Sequence, residues 1–116
     1  MHGPPRIGLG TFRCTGEAVQ QAVQVALDVG IRHIDTASIY KNETEIGQSI
    51  RSAIHKGFIR REDLYVTSKI SPYEQGFDKA REACENICSR LDIGYVDLVL
   101  IHWPGVSKTP LESHEN

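Results

Sequence analysis

Short apolar runs alternate along this chain with longer stretches in which apolar residues recur every three or four positions. Ile7 to Phe12 is a short apolar run that carries two glycines. From Thr15, which predicts an N-cap, Ala18, Val19, Ala22, Val23, Ala26 and Leu27 fall on one helical face. Gly30 predicts the C-terminal stop of that helix. Arg32 to Ala37, built around Ile34, has room only for a strand and its exit. Asn42 with Glu45 predicts a capping box ahead of Ile46, Ile50 and Ile54, and Gly57 ends this second helix. Leu64 to Ile70 is β-branched and apolar, a strand that Pro72 breaks. Phe77, Ala80, Cys84, Ile87, Cys88 and Leu91 mark a third helix closed by Gly94. Val96 to Ile101 is nearly all apolar and stops at Pro104, the pattern of a strand buried on both faces.

Strand and helix therefore alternate, which predicts an α/β fold with a parallel sheet and right-handed crossovers. Two architectures fit: a doubly wound open sheet, and part of a (β/α)8 barrel. A complete barrel needs eight units and about 250 residues. Four strands and three helices in 116 residues are about half of one. No repeat or linker divides the sequence, so residues 1–116 are expected to form a single domain, incomplete on its C-terminal side.

Composition narrows the function more than the fold. The 13 basic and 15 acidic residues leave a formal charge of −2, with no basic cluster to suit a nucleic acid. No apolar run approaches the roughly 18 residues of a membrane span. The opening MHGPPRIGLG has no apolar stretch of signal-peptide length. Three cysteines, Cys14, Cys84 and Cys88, form no CxxC pair and suggest buried, reduced thiols and a cytoplasmic setting. Cys84 and Cys88 share a helical face, but no second ligand pair sits at metal spacing, so no metal is expected.

The predicted strand ends carry the chemistry. The second strand ends in Asp35, the third in Lys69 and the fourth in His102. In parallel α/β folds the carboxyl ends of the strands form the functional face. Each residue alone could be a surface ion-pair partner; three converging there favour a site. Tyr40 follows Asp35 by five residues, within reach of the same cleft. A tyrosine is a poor acid near neutrality, but a neighbouring ammonium favours its phenolate. Lys69 could supply that ammonium, Asp35 could hold it, and His102 could donate a hydrogen bond to a carbonyl oxygen. Such a set protonates a developing alkoxide, as carbonyl reduction by hydride requires. Gly8-Leu9-Gly10 lacks the third glycine of a dinucleotide fingerprint and predicts a tight turn instead. His33 is expected to be structural. His2, His55 and His114 are expected on the surface, and Arg60 to Asp63 in a solvated loop with local ion pairs.

The segment GIRHIDTASIYKNETEIG, Gly30 to Gly47, resembles the signature of the aldo-keto reductases, with Ile31 in place of the usual aromatic residue. The segments IGLGTF, VTSKI and LVLIHWPG resemble further strand ends of that family. The resemblance implies a (β/α)8 barrel that reduces aldehydes and ketones with NADPH and no metal. It implies Tyr40 as general acid, Lys69 and Asp35 tuning it, and His102 orienting the carbonyl. Thr11 and Asp35 would lie near the nicotinamide, and Phe12 and Trp103 would line the pocket for a small carbonyl substrate.

A family barrel would continue beyond the fourth strand, and the part that holds the adenosine and 2′-phosphate would lie there. The chain is therefore expected to be a truncated form, inactive alone unless self-association or a partner completes it. Val66, Leu98 and Leu100 belong to strands built for burial on both faces, so a half barrel would leave an open flank and two unpaired edges. Two other readings stand beside the enzyme. One is a non-enzymatic regulatory or binding protein of the same fold; the other is a flavodoxin-like open sheet.

Overall fold

A computed structural model describes residues 3–107 of the chain, so His2, His114 and the last residues of the sequence lie outside the described residues. The elements are β1 (Leu9–Gly10), α1 (Gly16–Asp28), β2 (His33–Asp35), α2 (Glu43–His55), β3 (Tyr65–Ile70), α3 (Phe77–Leu91) and β4 (Leu98–Ile101). Short 3-10 turns lie at Ser38–Tyr40, Arg61–Asp63 and Pro72–Glu74. All strand pairs are parallel, and the order across the sheet is β1-β2-β3-β4. A doubly wound sheet reverses its strand order at a switch point. This sheet never reverses, which removes the flavodoxin-like reading. α2 packs between α1 and α3, so the helices form one layer on one face.

Strand alternation decides what each face holds. Ile34 of β2 and Val66 and Ile70 of β3 point to the helices. There they meet Val19, Val23, Leu27, Ile46, Ile50, Ile87 and Leu91. Burying each such side chain stabilises the fold by about 1.5–3 kcal/mol. Val66 thus belongs to the helix layer, while its neighbours Thr67 and Lys69 face the open side with His33 and Asp35. α2 and α3 approach closely at Gly47 of α2, where a Cβ would meet the Leu91 carbonyl oxygen of α3 at 2.0 Å.

Several local expectations fail for identifiable reasons. Thr15 and Asn42 occupy the N-cap positions of α1 and α2 without a side-chain cap bond. The Asn42 carboxamide is committed elsewhere. α3 ends at Asp92, which takes a left-handed conformation at φ 49° ahead of Gly94. Its apolar stripe excludes two predicted members: Phe77 is 91% exposed, and Cys88 is exposed rather than buried. β4 is an edge strand rather than one buried on both faces, leaving Leu100 and Ile101 open to solvent. Arg60 pairs with Asp63 in the expected solvated turn. Arg61 does not: it turns inward to the carbonyls of Ile93, Leu64 and Tyr95 and to the Asp97 carboxylate.

Candidate active site

The carboxyl ends of β2, β3 and β4 bring the predicted residues together. Lys69 lies on the open face of β3, two positions past Thr67, the residue that pairs with Asp35 of β2, and in register with Leu100 of β4. Its ammonium donates to both Asp35 carboxylate oxygens at 2.9 Å and to the Thr36 carbonyl at 2.9 Å. The same nitrogen lies 3.5 Å from the Tyr40 hydroxyl. The 3-10 turn after β2 delivers Tyr40 to this point. Thr11, buried, donates its hydroxyl to the Asp35 carbonyl at 2.9 Å, which ties the exit of β1 to the end of β2.

His102 follows β4 directly, and its backbone N–H donates to the Ile70 carbonyl at 3.0 Å. Burial pushes its imidazole below the ordinary histidine range, and the Lys69 charge adds to this against a smaller pull from Asp35. The shift favours the neutral ring, which keeps one N–H to donate. Its Nδ1 is buried with no hydrogen-bond partner among the described residues. A buried nitrogen of this kind calls for a partner that the described residues do not supply.

Four rings form a row across this edge. Phe12 and Tyr40 are 5.2 Å apart, Tyr40 and His102 meet edge to face at 5.8 Å, and His102 stacks on Trp103 at 6.2 Å. Phe12 and Trp103, the predicted pocket residues, are 61% and 59% exposed at the two ends of the row. Exposed aromatic rings thus flank a cluster of polar hydrogens. His33 lies on the same face of β2 as Asp35, and its Nε2 is 2.9 Å from Thr67 Oγ.

Two buried polar residues next to Tyr40 escaped the sequence reading. Glu43 is 1% exposed, accepts from Ser68 Oγ at 2.7 Å and pairs with Arg90 at 2.8 Å. Burial pushes its carboxyl up, against the pull of Ser68 and Arg90. Asn42 is fully buried and bonds the loop between β1 and α1. A signal existed for Glu43, which shares the helical face of Ile46 and Ile50. A carboxylate on an apolar face needs a partner. For Asn42 the capping pattern itself was misleading.

The family model described as the Aldo/keto reductase family matches residues 6–114. A curated aldo/keto reductase of Synechocystis sp. is 45% identical over 102 residues, which are 88% of this chain and 31% of the relative. An aldose reductase from Giardia lamblia superposes with a TM-score of 0.84 at 37% identity, covering 94% of this chain and 43% of that one. A Bombyx mori aldo-keto reductase solved in complex with NADP superposes with a TM-score of 0.83 at 40% identity, covering 90% of this chain and 36% of that one. The chain spans about a third of the length of the curated relative it matches. Its four parallel strands and three helices correspond to the N-terminal part of a (β/α)8 barrel. On the family model, the identities and the superpositions together, the chain belongs to the aldo/keto reductase family.

Proposed function

We propose that this chain supplies the proton-donating half of a carbonyl-reduction site, in a barrel that residues beyond the present four strands complete. The observation that carries this reading is the single cluster of Asp35, Lys69, Tyr40 and His102 at the strand ends. Tyr40 gives its hydroxyl proton to the carbonyl oxygen of an aldehyde or ketone. The Lys69 ammonium, fixed by Asp35 and the Thr36 carbonyl, stabilises the charge left on the tyrosine oxygen. Neutral His102 donates to the same carbonyl oxygen and orients it. Phe12 and Trp103 exclude water on either side.

The residues present fit the nicotinamide end of NADPH. Thr11 and Asp35 line its edge of the cluster, His102 Nδ1 is unsatisfied, and exposed rings offer flat apolar contact. When bound, NADPH supplies the hydride for the carbonyl carbon. The adenosine and phosphate end would be held by the remainder of the barrel. Metal is not needed in this scheme, because the ammonium and the imidazole carry the electrostatic work.

The test is a barrel in which residues 6–107 replace the matching part of the Synechocystis relative. Oxidation of NADPH on adding an aromatic aldehyde supports the reading. A folded barrel that binds NADPH and leaves the aldehyde unreduced overturns it.

A further inference from the structure

We infer that Asn42 is a positioning residue for this site: its buried carboxamide holds the β1–α1 loop, and with it the Phe12 ring, against the turn that carries Tyr40. The inference rests on the proposed roles of Tyr40 as proton donor and Phe12 as pocket wall. Asn42 lies two residues past Tyr40 and is 0% exposed. Its Nδ2 donates one hydrogen to the Thr11 carbonyl at 2.8 Å and the other to the Cys14 carbonyl at 2.7 Å. Its Oδ1 accepts from Thr36 Oγ at 3.3 Å. Both amide hydrogens and the amide oxygen are engaged, and no side-chain bond goes to the helix that Asn42 precedes.

The joined segments have reason to need a tie. Arg13 and Lys41, one in each segment, hold left-handed conformations at φ 59° and 58°. Non-glycine residues persist there only where their surroundings over-determine the backbone. Phe12 is mostly exposed, so burial does not hold its ring at 5.2 Å from Tyr40. The backbone on either side of it does, through the Thr11 and Cys14 carbonyls. The end of β2 joins the same knot through Thr36, whose carbonyl also receives Lys69. One side chain thus ties the pocket wall to the turn that carries the proton donor.

The test is Asn42→Asp in the full 116-residue chain, which keeps size and acceptor but loses both donors. Proton–proton contacts between the Phe12 and Tyr40 rings are expected to vanish by NMR, while those between Ile34 and Val66 persist. Ring contacts retained at full strength overturn the proposal. Should the variant not fold, the unmodified chain decides. The Asn42 side-chain amide hydrogens are expected to exchange at least ~100-fold slower than those of exposed Asn86. Equal exchange overturns it. In the completed barrel, Asn42→Asp is expected to raise KM for the aldehyde about tenfold with kcat within about threefold. Loss of kcat at constant KM assigns Asn42 another role and overturns this one. If instead Tyr40→Phe proves fully active, the proton-donor reading fails, while the spectral result still judges the tie.

Discussion

Individual residues divide into those whose placement was legible and those whose environment was not. Asp35, Lys69, Tyr40 and His102 could be read because titratable groups directly after apolar strands have few other places to go. Asn42 and Glu43 could not, because burial depends on neighbours distant in sequence: Thr11 and Cys14 for one, Ser68 and Arg90 for the other. Their environments have measurable consequences. Glu43 holds its proton to higher pH in the folded chain than in the unfolded one. Between those two values the folded state binds more protons, so stability falls as pH rises through the window. Relative to Glu43→Gln, the wild type is expected to lose stability as pH rises from the ordinary carboxylate range, measured by urea denaturation at several pH values. Ser68→Ala leaves one buried Glu43 oxygen without its donor and is expected to cost about 1–3 kcal/mol in the same assay. His102 has the opposite sign. Its depressed value means that its contribution is present above the usual histidine pKa and is lost as pH falls through the folded value. NMR titration of His102 is expected to give a midpoint below that of a free histidine.

Among the elements, the helices were the most legible, since a 3.6-residue apolar period has few alternative explanations. Their boundaries held to within a residue or two, but caps and stripe edges did not. Asn42 gives its side chain to a loop, Asp92 rather than Gly94 stops α3, and Phe77 falls off the buried face. Strand positions were legible and strand lengths were not. β1 and β2 make ladders of only two and three residues, because the chain leaves the sheet to deliver Thr11 and Tyr40. Helix packing explains a residue that the resemblance only matched. Gly47 allows α2 and α3 to approach so closely that a methyl group would overlap the Leu91 carbonyl. That carbonyl also accepts from Arg51 at 2.7 Å, so it is not free to retreat. Gly47→Ala is expected to destabilise the chain by about 1–3 kcal/mol, read as a lower urea midpoint. A midpoint unchanged from wild type would show that α3 can yield at no cost.

For the whole molecule, the alternation of elements pointed to a parallel sheet, and the observed strand order selects the barrel over the doubly wound alternative. Which apolar residues would face solvent depended on where the sheet edges fall. On one edge Leu100 and Ile101 of β4 are exposed; on the other, Leu9, Val25, Val29 and Ile31 line an open groove of about 510 Å³. Unpaired parallel edges flanked by apolar side chains favour association. Sedimentation of the 116-residue chain is expected to show concentration-dependent self-association, reduced by Ile101→Lys. A monomer at all concentrations would mean that these flanks are tolerated in water. The candidate site has the same dependence on completion, since Lys69 and Asp35 stand on an open face. The decisive measurement is therefore Tyr40→Phe in the completed barrel, where the substitution removes one hydroxyl beside Lys69 and little else. If Tyr40 donates the proton, kcat for aldehyde reduction falls at least ~100-fold while NADPH affinity is unchanged. A variant that reduces the aldehyde at the wild-type rate would contradict the assignment of the whole cluster.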